Sequence, residues 1–264
     1  MAPGALGHEG WGVVESLGDD VTEFEKGDRV GMISQNAYAE YDLADASSAV
    51  KLPQSMGQDA FPAEPLGCAM NIFKRAEIRS GRTVAIVGIG FLGALLTQLA
   101  SMAGARVVAI SRRPFALRYA RELGAAHVIQ MDDHGRIVEQ VRQLTGGSLC
   151  PVVIEAVGKQ WPLDLAGELT SERGRLVVAG YHQDGLRQIN MQLWNWRGFD
   201  VINAHERDPE VYLEGMTIAA RAVESGLLNP QPLYTHRFSL EQLGDALGMA
   251  SERPEGFMKG LITL

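Results

Sequence analysis

One short stretch limits the fold more than any other. The apolar run Thr83–Val87 passes straight into Gly88-Ile89-Gly90-Phe91-Leu92-Gly93. A helix-like pattern follows over Phe91–Ala103, and then a second apolar run, Ala105–Ser111. Strand, glycine turn, helix and strand in one unit make a βαβ element, which needs a parallel sheet around it. The first glycine permits the tight turn, the second lets main chain approach a pyrophosphate, and the third lets the helix pack close. The free N–H groups at the helix start suit an anion. GxGxxG alone is weak, because glycine serves many turns; the flanking strand and helix give it meaning. A dinucleotide is therefore expected on Gly88, Gly90, Phe91, Leu92 and Gly93. The competing reading is a purely structural glycine turn.

The same rhythm continues on both sides of this unit. Across residues 71–204 the apolar runs TVAIVGIG, ARVVAIS, AHVIQ, CPVVIEAVG and GRLVVAG alternate with helix-like segments at Pro114–Leu123, Gly135–Leu144 and Gln160–Leu169. Near-continuous apolar strands alternating with helices predict a doubly wound parallel sheet covered on both faces. Ala156-Val157 and Ala179-Gly180 follow two of these runs, at the carboxyl edge where open α/β sheets bind cofactors. Residues 1–70 differ. Short alternating stretches at Trp11–Leu17, Arg29–Ile33 and Ala37–Leu43, punctuated by Gly18-Asp19-Asp20 and Lys26-Gly27-Asp28, predict a small antiparallel β region. Residues 205–264 predict a helix over Pro209–Ser225, a strand near Leu233–Phe238, a helix from Ser239 and a closing strand GLITL.

The end of the second Rossmann strand bears on which dinucleotide is bound. An acid there would accept from a ribose 2′-hydroxyl. Here the strand ends in Ser111-Arg112-Arg113-Pro114, with no acid between Ala109 and Arg121. A hydroxyl and two guanidiniums suit a 2′-phosphate that a carboxylate would repel. NADP(H) is expected in preference to NAD(H), the plainer alternative being arginines that solvate a helix start. Composition removes other classes. The chain has 264 residues with 24 basic against 32 acidic side chains, a net charge of −8, so no basic footprint for nucleic acid is expected. Two cysteines, Cys68 and Cys150, cannot frame a disulfide scaffold, and no apolar run is long enough to span a bilayer. A soluble, cytoplasmic protein is expected.

The stretch GHEGWGVVESLGDDVTEFEKGDRV, followed by AYAEYDLADASSAVKLP, EPLGCAMNIFKRAEIRSGRTVAIVGIGFLGALLTQLASMAGARVV and a final GFMKGLITL, resembles the zinc-type alcohol dehydrogenase branch of the medium-chain dehydrogenase/reductase family. The resemblance covers essentially the whole chain. It implies a Rossmann domain flanked by a GroES-like β domain, here shortened, to which residues 205–264 return. It also implies that His8 and Cys68 are two of three catalytic zinc ligands and that Glu9 lies close to the metal, sometimes approaching it. Zinc in such a site acts as a Lewis acid on an alcohol or carbonyl oxygen while hydride passes to or from nicotinamide. The family's third ligand, an upstream cysteine, has no counterpart in the seven residues before His8, so an incomplete site is expected. Glu9 is expected to be an imperfect substitute, because neighbours in an extended segment point to opposite faces.

The resemblance further implies that Ala156, Val157, Ala179 and Gly180 border the nicotinamide half. Lys259 is implied near the pyrophosphate, against a solvent-facing alternative. Residues Gly198–Ala204 are implied to pair strands across a homodimer axis. Trp194 and Trp196 are expected in core or interface packing rather than in a substrate pocket. The reading is thus an NADP(H)-dependent oxidoreductase acting on a small alcohol or carbonyl. Its rivals are a nucleotide-binding module without turnover and a metal-free carbonyl or enone reductase.

Overall fold

The computed structural model describes residues 6–264. They form two compact units: the residues up to Asn71 together with Glu206–Leu264, and Ile72–His205.

The first unit opens with an antiparallel three-stranded sheet, order β1-β2-β3, built from β1 (Glu9–Val13), β2 (Arg29–Ile33) and β3 (Ala49–Lys51). Glu9 faces Ile33 and Val13 faces Arg29 across the first pair. The stretch Ala37–Leu43, expected as a strand, is a series of bends. Ala37 and Tyr38 donate their N–H groups to the Gly7 and Leu6 carbonyls, but beyond them Tyr41 is 76% and Leu43 95% exposed, and the Asp42 carboxylate takes the Ser34 hydroxyl. Helix α1 (Ala63–Ala76) follows; its residues as far as Asn71 belong to this unit. Gly31 on β2 leaves room for Ala63, whose Cβ would stand 2.5 Å from any Cβ added at Gly31. That approach sets the first turn of α1 directly on the sheet.

The second unit carries the parallel sheet. Its strands are β4 (Thr83–Val87), β5 (Arg106–Ser111), β6 (His127–Gln130), β7 (Cys150–Glu155), β8 (Thr170–Val178) and β9 (Asp200–Asn203). They lie in the order β6-β5-β4-β7-β8-β9, all neighbours parallel. The intervening helices are α2 (Phe91–Met102), α3 (Pro114–Glu122), α4 (His134–Leu144), α5 (Gln160–Leu169) and α6 (Met191–Arg197). Every residue of β4 is buried, as central strands of a doubly covered sheet require. The outer helices are amphipathic: α4 buries Ile137 and Val141 at i, i+4, and Asp133 caps its start by accepting from Arg136 N–H at 2.8 Å. Trp194 packs beside Phe199 against this core, with ring centroids 5.6 Å apart, whereas Trp196 is 87% exposed.

The chain then returns to the first unit through α7 (Pro209–Glu224), β10 (Tyr234–Phe238), α8 (Leu243–Glu252) and β11 (Lys259–Ile262). β10 and β11 pair in parallel across the α8 crossover. The architecture is therefore α/β: a Rossmann-type parallel sheet in one unit and small β sheets with helices in the other. Among the described residues no helix is long and apolar enough to cross a membrane.

Candidate dinucleotide and metal sites

The turn after β4 separates its three glycines by role. Gly88 has φ +102°, where side chains are strained, and an added Cβ would overlap Val157. At Gly93 an added Cβ would overlap the Gly88 carbonyl oxygen, so α2 can rest on the turn only with hydrogen there. Gly90 is different. Its φ of −93° suits any residue and an added Cβ meets nothing within 4 Å. The fold itself does not need glycine at Gly90, where the main chain is open to approach. Gly90 is also the N-cap of α2, with no side chain capping the first N–H groups of the helix. An uncapped N-terminus beside an open glycine is a cradle for a phosphate.

Phe91 and Leu92 form the first turn of α2. Ser111 ends β5, buried, and its hydroxyl accepts from Arg113 N–H at 3.4 Å. The Arg113 guanidinium reaches back to the Ile89 carbonyl at 3.3 Å, so it stands over the glycine turn, while Arg112 is exposed. The hydroxyl and one guanidinium are therefore brought together beside the turn.

Across β7 and β8, Glu155 organises the carboxyl edge. It is wholly buried; Oε1 accepts from Val157 N–H (2.7 Å) and Gly158 N–H (2.9 Å), and Oε2 meets His182 Nε2 at 3.0 Å. Ala179 and Gly180 donate their N–H groups to the Glu155 carbonyl, each at 2.8 Å. Arg187 Nε, which can only donate, reaches His182 Nδ1 at 2.8 Å. His182 therefore carries its proton on Nε2 and gives that hydrogen bond to Glu155. Arg187 also donates to the Gly158 carbonyl at 2.9 Å and pairs with Asp184. Lys159 and then Arg187 hold the Asp184 carboxyl well below the usual carboxylate range. Thus Ala156, Val157, Ala179 and Gly180 sit on loops tied to one buried carboxylate. Sequence reasoning passed over Glu155 and His182, which stand 27 positions apart and meet only because β7 and β8 are neighbours.

In the first unit, donor atoms of His8, Glu9 and Glu64 lie within 4.8 Å of one another. His8 Nε2 stands 3.8 Å from Glu64 Oε2, and the Cys68 thiol donates to Glu64 Oε1 at 3.1 Å. Glu64 was not singled out from sequence. It lies one turn before Cys68 on α1, so the pair shares a helix face, a signal legible only once α1 is recognised as a helix. His8 precedes β1 rather than lying in it, so strand alternation does not separate its side chain from that of Glu9. The Lys259 ammonium pairs with Glu9. Burial raises the Glu64 pKa above the ordinary carboxylate value, and burial followed by the Glu64 charge pushes the Cys68 thiol up strongly. Burial, then Cys68 and Glu64, lift Tyr212 to about 12. One imidazole, two carboxylates and a thiol one helical turn away form a donor set of the kind zinc accepts. Ligand atoms around one tetrahedral ion stand roughly 3.3 to 3.5 Å apart, and the 3.8 Å between His8 and Glu64 is within a small side-chain adjustment of that.

Comparison with known proteins follows the same division. A family profile described as zinc-binding dehydrogenase matches residues 92–220, and one described as alcohol dehydrogenase GroES-like domain matches residues 1–58. The chain belongs to the zinc-type medium-chain dehydrogenase/reductase family. A quinone oxidoreductase of Pseudomonas aeruginosa is 31% identical over 203 residues, 74% of this chain but only 62% of that protein's length. A sorbitol dehydrogenase of Bacillus subtilis is 24% identical over 293 residues, covering 98% of this chain and 81% of that protein. A crystal structure of a putative zinc-binding dehydrogenase from Sinorhizobium meliloti 1021 bound to NADP superimposes with TM-score 0.86 at 25% identity, covering 98% of this chain and 83% of that one. Within this family the glycine turn and the His8 cluster are the two places where chemistry is to be sought.

Proposed function

We propose that this member is an NADP(H)-dependent oxidoreductase that moves a hydride between nicotinamide and the oxidised or reduced carbon of a small alcohol or carbonyl, with zinc held by His8, Glu9 and Glu64 next to Cys68. The observation that carries the reading is Gly90: a glycine the fold does not require, at an uncapped helix start, with Arg113 and Ser111 beside it. The N–H groups at the start of α2 bind the pyrophosphate, and Ser111, Arg112 and Arg113 take the 2′-phosphate. Glu155, through His182 and Arg187, keeps the loops after β7 and β8 fixed as the nicotinamide half binds. A zinc ion supplies Lewis acidity to the substrate oxygen when bound. The His8 imidazole and the Glu9 and Glu64 carboxylates would hold that charge, with the Cys68 thiol donating its hydrogen bond to Glu64 beside them. β9, at the open edge of the sheet, is the proposed line of pairing with a second copy.

The test is metal content and cofactor preference on one sample purified without chelator. The expected result is close to one zinc per chain and NADPH bound at least tenfold tighter than NADH, with Arg112→Ala narrowing that gap. Equal affinity for the two cofactors sinks the 2′-phosphate assignment. A second reading, metal-free carbonyl or enone reduction, is favoured by one feature: the Lys259 ammonium already places a cation on Glu9. Under that reading the sample is zinc-free and oxidises NADPH with an enone.

A further inference from the structure

The amino edge of the parallel sheet carries a groove of about 1000 Å³ that no part of the proposed reaction uses. Six arginines line it: Arg79, Arg82, Arg142, Arg173, Arg175 and Arg197. They are a quarter of the chain's 24 basic residues, gathered in one place on a protein of net charge −8. Three acids share the groove, Glu77, Glu172 and Asp200, but two of them are engaged with a single arginine. Arg175 pairs with Glu77 at 2.9 Å and Asp200 at 3.9 Å. That leaves five guanidiniums facing Glu172. Arg79, Arg82, Arg142 and Arg173 make no side-chain hydrogen bond or ion pair among the described residues. Arg197 is held by three main-chain carbonyls, at 2.7 to 3.3 Å. Burial, followed by the charge of Arg142, lowers its pKa, as a neighbouring like charge must.

The main chain is unusual at the same place. Four non-glycine residues have positive φ among those described, and three of them, Glu77, Leu149 and Arg173, line this groove. Such conformations cost of order 1 kcal/mol each or more and cluster at ligand clamps. The register shows what the strain achieves. Between Cys150–Thr170 and Val152–Arg175, two steps on β7 face five on β8, so the chain bulges and carries Glu172 and Arg173 out of the ladder. Trp196, nearly fully exposed, supplies a flat aromatic face on the lining.

We infer that this groove is a second anion site, built for a nucleoside polyphosphate, with its phosphates on Arg79, Arg82, Arg142 and Arg173 and its base on Trp196. Arginine forks match phosphate oxygens in pairs, and a planar base stacks on indole. The groove runs along the starts of β4, β7, β8 and β9, four neighbouring strands some 15 Å across at ~4.8 Å spacing, which fits one nucleotide. It is at the opposite end of the strands from Gly88, Ala156 and Ala179, so the dinucleotide does not occupy it. A nucleic acid strand needs a basic track that extends beyond such a patch, which an acidic chain opposes.

The experiment is calorimetric titration of the full chain with ATP and with inorganic tripolyphosphate, each with and without saturating NADPH. The expected result is one saturable ATP site per chain whose affinity NADPH leaves unchanged. Arg82→Ser combined with Arg142→Ser weakens both probes at least tenfold without altering NADPH affinity, and Trp196→Leu weakens ATP severalfold more than tripolyphosphate. Circular dichroism of each variant confirms folding, and Arg79→Ser with Arg173→Ser provides an independent pair. No saturable binding overturns the proposal. So does loss of the ATP signal on adding NADPH, which places it at the glycine turn, or a single-stranded oligonucleotide that binds more tightly than ATP.

Discussion

The buried carboxylate of Glu155 permits a prediction that can be worked through donor by donor. Replace it by glutamine, which has the same shape but one acceptor and one NH2. If the amide oxygen keeps the Val157 and Gly158 N–H groups, the NH2 faces the Nε2–H of His182. The imidazole cannot relieve this by moving its proton to Nδ1, because Arg187 Nε already donates there at 2.8 Å. Flipping the amide is worse, since NH2 then meets two main-chain donors. Every arrangement leaves one buried donor against another. An unsatisfied buried donor costs about 1–3 kcal/mol, and the remaining hydrogen bonds lose the extra strength that a charged acceptor gave them. Glutamine also removes the cost of burying a full charge, which offsets part of this. We expect Glu155→Gln to destabilise the protein by about 2–4 kcal/mol, a fall in thermal midpoint of roughly 5–12 °C for a chain of this size.

The decisive measurement is a double-mutant cycle with Arg187→Met, read by urea unfolding followed through tryptophan fluorescence. Removing the arginine frees Nδ1 to carry the proton, so Nε2 can accept from the new amide. The double variant is then expected to be more stable than the sum of the two singles by about 1–2 kcal/mol. Additivity within about 0.5 kcal/mol, or a Glu155→Gln protein as stable as the parent, would refute the tautomer assignment.

The other expectations concern the two sites. Gly93→Ala drives a Cβ into the Gly88 carbonyl and displaces α2 from the turn, so NADPH affinity should fall at least tenfold with a stability loss of about 1–3 kcal/mol; unchanged fluorescence titration with NADPH refutes it. Burial raises the folded pKa of Glu64 above its unfolded value of 4.5, so the folded chain keeps a proton the unfolded chain has released. Stability of the metal-free protein should therefore decline as pH rises from 4.5 through that raised value, and Glu64→Gln should flatten the decline in a pH series of unfolding curves. Asp28, Asp132 and Asp184 are lowered from 3.8 and Glu241 from 4.5, so they act in the opposite sense at the acid end of that range, and the difference between the parent and Glu64→Gln isolates the Glu64 part. Zinc affinity should climb over the same window, because the ligand is the carboxylate. Lys259→Met removes the cation that competes with a metal for Glu9, and zinc should bind roughly 5- to 150-fold tighter, matching a charge-assisted bond of about 1–3 kcal/mol; weaker binding in chelator competition rejects that competition.

How much of this was legible in the sequence depends on how far apart the cooperating residues lie. β2 and α5 match their sequence expectations end to end, and β4, β5 and β7 follow the apolar runs, because burial on both faces leaves a local signature. Helix α1 runs across the boundary set between residues 70 and 71 and was not expected from the sequence; its Pro65 lies in the first turn, where proline is tolerated. Missing the helix also hid Glu64, whose only signal is its one-turn spacing from Cys68. Ala37–Leu43 misled in the opposite way: past the main-chain bonds of Ala37 and Tyr38 to Gly7 and Leu6, no described strand takes up its ladder. The arginine groove has no local signature at all. Its arginines run from Arg79 to Arg197 and meet because the sheet order sets β4 beside β7, with β8 and β9 following in turn.

The same topology explains why the two ends of the sheet handle anions by different means. Each helix that follows a parallel strand starts at the carboxyl edge and ends at the amino edge. The carboxyl edge therefore receives free N–H groups and the positive ends of helix dipoles, and a phosphate can be held there largely by main chain. One glycine turn with Arg113 beside it is enough. The amino edge receives carbonyls and negative dipole ends, so an anion site there has to be built from side-chain cations. Part of the basic population is accounted for by the helices themselves: Arg142 lies in the last turn of α4, and Arg197 in that of α6, donating to carbonyls at the end of α5. Arg79, Arg82 and Arg173 lie in no helix, and among the described residues no acid pairs with them. Dipole compensation leaves those three without a reason for standing together, and an anionic ligand supplies one.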